Sequence, residues 1–170
     1  IELAEAGSDL DLFAKAYYYF GQVCDEPRNE TEFALANDCI AKLDAAKAAV
    51  ASQLDAYPEL KASLMDIKAI FTVNNPLDKT YAFISTAQDY GNVPLEGDSY
   101  AYCPQYQWLN SDEQRAMYEN EESLWWYGCT HPGNPYPTLH FNSPLITARA
   151  LGWMMYDYDI DGVLYWCSNS

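Results

Sequence analysis

The sequence predicts an α/β protein in which strands alternate with helices, and three observations predict it. Short apolar runs rich in aromatic and β-branched residues recur at 17–23, 66–74, 124–129 and 163–167. Between them lie stretches whose apolar residues repeat at helical intervals, most clearly over 29–54. Two of the strand runs stop at polar residues followed by proline, Asp25-Glu26-Pro27 and Asn75-Pro76. That places chemistry-bearing side chains at strand carboxyl ends, where α/β folds build their active sites. Counting a shorter strand near 99–109, about five strands result, roughly half to two-thirds of an eight-stranded barrel.

Taken in order, an amphipathic piece at 10–16 leads into a strand from Tyr17 to Val23, which Pro27 prevents from continuing. Asn29 with Glu32 three residues on has capping-box spacing, and Phe33, Ala36, Ile40, Leu43, Val50 and Leu54 mark the buried face of the helix that follows. Its other face is charged, as suits an outer helix, and Pro58 lies near its end. DIKAIFTVN, 66–74, is the second strand. A loop rich in Pro, Gly and Asp follows, with a short helix expected near 81–88. Residues 99–109 hold a strand or irregular edge limited by Pro104, and Ser111 caps a helix over 111–122. The strand 124–129 leads into a loop, 130–142, with three prolines and a glycine; long loops at a strand's carboxyl end are often functional. Ser143 as cap and Pro144 at the first helical position open a helix running to about Tyr158, and Gly162 precedes the last strand.

The adjacent acids Asp25 and Glu26 are the leading candidates for proton-transfer chemistry. Acids ahead of a helix also cap it and complement its dipole, so the pattern alone leaves both roles open. Composition narrows the ligand. Twenty-five acidic against 9 basic residues give a net charge of −16, which argues against nucleic acid and anionic membranes as partners. No apolar run is long enough to span a bilayer, so membrane insertion is not expected. The 15 tyrosines and 5 tryptophans suit a neutral glycan, whose C–H faces stack on aromatic rings, although buried rings also simply fill cores.

The 5 cysteines, Cys24, Cys39, Cys103, Cys129 and Cys167, lack close pair spacing and are read as mostly buried, small apolar residues. Asp157, Asp159 and Asp161 before Gly162 imitate the start of a calcium loop, but the twelfth position is Ser168 and the residues between form an apolar strand. Cys129, His131 and His140 lack a second close ligand pair for zinc. No metal or other cofactor is expected.

Asp25-Glu26-Pro27, Trp125-Trp126-Tyr127, Arg149 through Trp153 and Asp161-Gly162-Val163-Leu164-Tyr165-Trp166 stand in an order that resembles the C-terminal half of the catalytic barrel of glycoside hydrolase family 123 and its uncharacterised relatives. The resemblance implies a single-domain portion of a TIM-type (β/α)8 barrel over 1–170, holding about the fourth to eighth strands. On that reading, the chain is a piece of a longer enzyme. Its open strand edges call for self-association or for pairing with the other barrel half. A secreted or periplasmic location is expected.

The implied activity is hydrolysis of β-linked N-acetylhexosamine, N-acetylgalactosamine favoured, by a substrate-assisted retaining route. Most retaining glycosidases hold two carboxyls about 5 Å apart across the anomeric centre. Adjacent residues do not easily straddle a sugar ring in that way, and side chains at successive positions of a regular strand point to opposite faces. The backbone must therefore leave strand geometry at Asp25 and Glu26 for both to reach one ligand. In the implied mechanism Glu26 is acid and base, and Asp25 orients the substrate's 2-acetamido group. Tyr102, Trp126, Tyr127 and Trp166, near predicted strand ends, are candidate walls, with Asn169 a further polar candidate; core packing is the competing role of each ring. Trp125 and Trp126 cannot both point inward. Two other functions stay open: a barrel glycosidase with Glu26 as acid/base and a nucleophile on another strand, and a non-catalytic carbohydrate-binding or structural domain.

Overall fold

A computed structural model describes residues 15–21, 23–27, 29–73, 95–133, 135–140 and 143–165. In chain order it holds β1 (Tyr17–Tyr19), α1 (Glu30–Ala51), α2 (Pro58–Met65), β2 (Lys68–Val73), β3 (Tyr100–Pro104), a 3-10 turn (Tyr106–Leu109), α3 (Asp112–Ala116), β4 (Trp125–Gly128), α4 (Leu145–Asp157) and β5 (Gly162–Tyr165). The α/β class is as expected. All strand pairs are parallel, β1 with β2, β2 with β3 and β4 with β5. Single parallel bridges, Tyr102 to Leu124 and Gln105 to Tyr127, connect the β3 and β4 regions, so lateral order follows chain order.

β2 shows why both faces of this sheet are apolar. Ala69, Phe71 and Val73 pack into a core with Phe33, Ala36 and Ile40 of α1, while Ile70 turns to the other face with Cys103 and Tyr127. Parallel strands covered on both sides read as continuous apolar runs, which KAIFTV does. Burying each large side chain contributes about 1.5–3 kcal/mol, and Phe71, Ile40 and Trp126 are among the most completely buried. Register carries the alternation across the sheet. Phe71 stands opposite Tyr102 and Thr72 opposite Cys103, so each pair shares a face.

Helix caps account for the helix starts. Asn29 accepts a hydrogen bond from the Glu32 amide at 3.1 Å, as its spacing predicts. Pro58 opens a separate short helix, α2, in its first turn. Ser111 and Gln114 form a full capping box, yet α3 ends at Ala116, well short of 122, and the chain continues in turns. At α4 the cap is Pro144 with no side-chain bond; Ser143 instead meets the Thr138 hydroxyl. β1 is also shorter than expected, because the amides of Val23 and Cys24 both turn back to the Phe20 carbonyl at 2.8 and 2.9 Å. Val50 is exposed rather than buried, and Lys47, which by spacing shares the face of Ile40 and Leu43, is 3% exposed.

Lys47 fastens the amino ends of β2 and β3. Its ammonium donates to the carbonyls of Met65 at 2.9 Å and Ile67 at 3.0 Å and to the Ser99 hydroxyl, and pairs with Asp44 at 3.4 Å. The β4–β5 junction has its own clasp. Asp161 donates its amide to the Leu124 carbonyl and accepts the Leu124 amide on its carboxylate, both at 2.9 Å. The Asp161 carboxylate thus ties the residue before β5 to the residue before β4. At the same place a Cβ on Gly162 would lie 2.4 Å from the Trp125 indole, so only glycine lets β5 start beneath that ring. Cys24, Cys39 and Cys103 are buried free thiols, in line with the apolar reading. No helix among the described residues is long and apolar enough to cross a membrane. The expected pieces at 10–14 and 81–88, and the site candidates Trp166 and Asn169, lie outside the described residues.

Candidate active site

Asp25 and Glu26 follow β1 after the turn at Gly21, not directly at its last paired residue. The turn requires glycine for packing: a Cβ on Gly21 would fall 2.1 Å from the Tyr19 ring, which lies across it. From there the Tyr19 hydroxyl reaches Asp25, donating to Oδ1 at 3.4 Å. Glu26 has φ +46°, a left-handed conformation uncommon outside glycine, asparagine and aspartate. The backbone thus leaves strand geometry at the pair. Both acids consequently line one cleft of about 980 Å³, as the geometric argument from alternation required.

The carboxyl ends of the neighbouring strands supply the partners. From β2, the Thr72 hydroxyl donates to Asp25 Oδ1 at 2.6 Å and accepts the Glu26 amide at 3.3 Å. From β4, the Tyr127 hydroxyl donates to Glu26 Oε1. Burial, then the hydrogen bond to Glu26, pushes the Tyr127 phenol well above its ordinary value of 10.0, so it stays a neutral donor. Burial likewise raises Tyr19. Tyr18, exposed Val23, Cys129 and Tyr165 complete much of the wall, an aromatic and apolar lining with few polar groups.

Three of the candidates therefore meet: Asp25, Glu26 and Tyr127. Tyr102 does not belong to this cleft. It shares the helix-facing side with Phe71, is 3% exposed, touches Tyr100 and Tyr118, and its hydroxyl accepts the Leu95 amide at 3.4 Å. Trp126 is corrected in the same way. Adjacent to Tyr127 on a regular strand, it must face the other way, and it is fully buried against Tyr106 and Tyr158. Trp125 is the tryptophan on the Tyr127 side, its ring tilted against that of Tyr17 with centroids 4.6 Å apart. The Nε2–H of His140 donates to the Cys129 carbonyl at 2.9 Å, which ties the loop after β4 back to its strand.

Thr72 and Tyr19 escaped the reading from sequence. For Thr72 a signal existed, a hydroxyl in an otherwise apolar strand close to its carboxyl end. For Tyr19 none did, since its role follows from the turn at Gly21.

Two carboxylates from adjacent positions, one held by a threonine and a tyrosine and the other by a second tyrosine, can hold a ligand N–H and move a proton in one cleft. The family model of the glycoside hydrolase 123 catalytic domain matches residues 23–170. No curated protein matches the chain.

Proposed function

Because this chain belongs to glycoside hydrolase family 123, and so carries glycoside hydrolase catalytic sequence, we propose that it cleaves β-linked N-acetylhexosamine, N-acetylgalactosamine foremost, by a substrate-assisted retaining mechanism. The five parallel strands among the described residues are read as about the fourth to eighth of a (β/α)8 barrel. The observation that carries the mechanism is the left-handed turn at Glu26, which brings two consecutive carboxylates to one cleft. A pair so close in sequence is poorly placed to stand on either side of an anomeric carbon, the arrangement a protein nucleophile and its acid partner need. It is well placed to serve a substrate that brings its own nucleophile.

In the proposed sequence, the 2-acetamido oxygen attacks the anomeric carbon while protonated Glu26 gives its proton to the leaving glycosidic oxygen. Asp25 accepts a hydrogen bond from the acetamido N–H and stabilises the positive charge that develops on the oxazolinium intermediate. Glu26, now ionised, takes a proton from water as the water oxygen opens the ring, restoring the acetamide with retained configuration. Tyr127, a neutral donor to Glu26 Oε1, steadies its charged form.

The test uses the full-length enzyme with matched N-acetyl and 2-hydroxy glycosides. Glu26→Gln should lower turnover by about 100-fold or more on a poor leaving group. Asp25→Asn should harm N-acetyl substrates most. Equal rates on the two substrate series, or equal losses in Asp25→Asn, would remove the acetamido mechanism and favour a nucleophile on another strand. Glycan binding with no turnover would instead favour a non-catalytic domain.

A further inference from the structure

One hydroxyl touches both members of the acid pair. Thr72 is 2% exposed, and its Oγ1 makes two bonds of opposite polarity, donating to Asp25 Oδ1 at 2.6 Å and accepting the Glu26 amide at 3.3 Å. A hydroxyl has one proton, so with that proton committed to Asp25 only its lone pairs face Glu26. The first bond selects one oxygen and one rotamer of Asp25. The second holds the peptide that enters the left-handed conformation at Glu26, φ +46°. Thr72 is held by its pairing with Cys103 of β3, two residues beyond the last β2 residue paired with β1, and its β-branched side chain has restricted χ1.

We propose that Thr72 is a positioning residue that sets the working orientation of the Asp25–Glu26 pair from β2, leaving Asp25 Oδ2 as the oxygen offered to the substrate's N–H. Among the described residues, the bonds from Thr72 and Tyr19 both go to Oδ1, which fits that division of the carboxylate. The inference rests on the reading that the acid pair is catalytic. It adds that the pair is oriented by the next strand and not by its own turn alone. Small displacements at a reacting centre cost rate steeply, so the effect should be large for a residue that acts through Asp25 and Glu26.

The experiment is a double-mutant cycle in the full-length enzyme. Thr72→Val keeps the shape and removes both bonds; it should lower kcat/KM on the best N-acetyl substrate by about 10- to 100-fold. Thr72→Ser, which keeps the hydroxyl, should recover activity to within about threefold of wild type. In an Asp25→Asn background the added loss from Thr72→Val should shrink to about threefold or less, because residues acting through one another are not additive. Should Thr72→Val prove too unstable to assay, Thr72→Ala takes its place in the cycle. Equal losses in both backgrounds, or no recovery by serine, overturn the proposal. The cycle does not depend on what Asp25 does for the substrate: if the acetamido mechanism fails, Asp25→Asn hurts both substrate series alike while its coupling to Thr72 persists.

Discussion

Tyr127 and Tyr102 are both buried tyrosines on parallel strands, and the direction in which each ring leaves its strand separates their roles. Tyr127 donates to Glu26, whereas the Tyr102 hydroxyl accepts the Leu95 amide inside the core. Tyr127→Phe should therefore lower turnover by ~10-fold with little change in melting temperature, since the lost bond is to the reacting carboxylate. Tyr102→Phe should leave turnover within about twofold and reduce stability by ~1 kcal/mol, the value of an ordinary buried hydrogen bond. Steady-state kinetics and thermal melts on the two variants decide it; equal kinetic losses would return Tyr102 to the site. From sequence, the two acids and Tyr127 were legible because they sit where apolar runs stop. Which of two adjacent rings faces a cleft was not, for that depends on pleat phase, and the phase is set by neighbours such as Phe71 opposite Tyr102.

At the scale of elements, caps and apolar runs announced most of the architecture: Asn29 begins α1, Ser111 begins α3, and the central strands β2 to β4 fall within their expected runs. What the pattern hid was tertiary. A lysine on a helix reads as a solvent residue, yet Lys47 is enclosed because three acceptors converge on it where β2 and β3 begin. Lys47→Met should cost about 1–3 kcal/mol, since it removes the donor shared by the Met65 and Ile67 carbonyls and the buried Ser99 hydroxyl. Activity per folded molecule should stay unchanged, because Lys47 works at the amino ends of the strands and the acid pair at the carboxyl ends. Denaturant titration with activity normalised to folded protein measures both. A lower kcat at full folding would mean that the two ends of the sheet communicate.

For the molecule as a whole, the described strands leave β1 and β5 each paired on one side, with α4 carrying exposed Leu145, Ile146, Trp153 and Tyr156. The 170-residue chain should consequently self-associate, despite its net charge, since unpaired edges and apolar patches seek cover; on the proposed reading of it as about half a barrel, it should also show little or no turnover, because positioning would suffer. Light scattering and an activity assay on one sample test this; a monodisperse, fully active monomer would refute it. The lateral order of the strands also bears on how the protein is made. Each strand from β2 onward meets a neighbour that precedes it in the chain, so as the polypeptide leaves the ribosome every new strand finds its template already synthesised. Parallel pairing is slow because long crossovers must close first. Growth from the amino-terminal side allows those closures to occur one at a time, at the pace of translation, with one edge advancing while that of β1 stays where it formed.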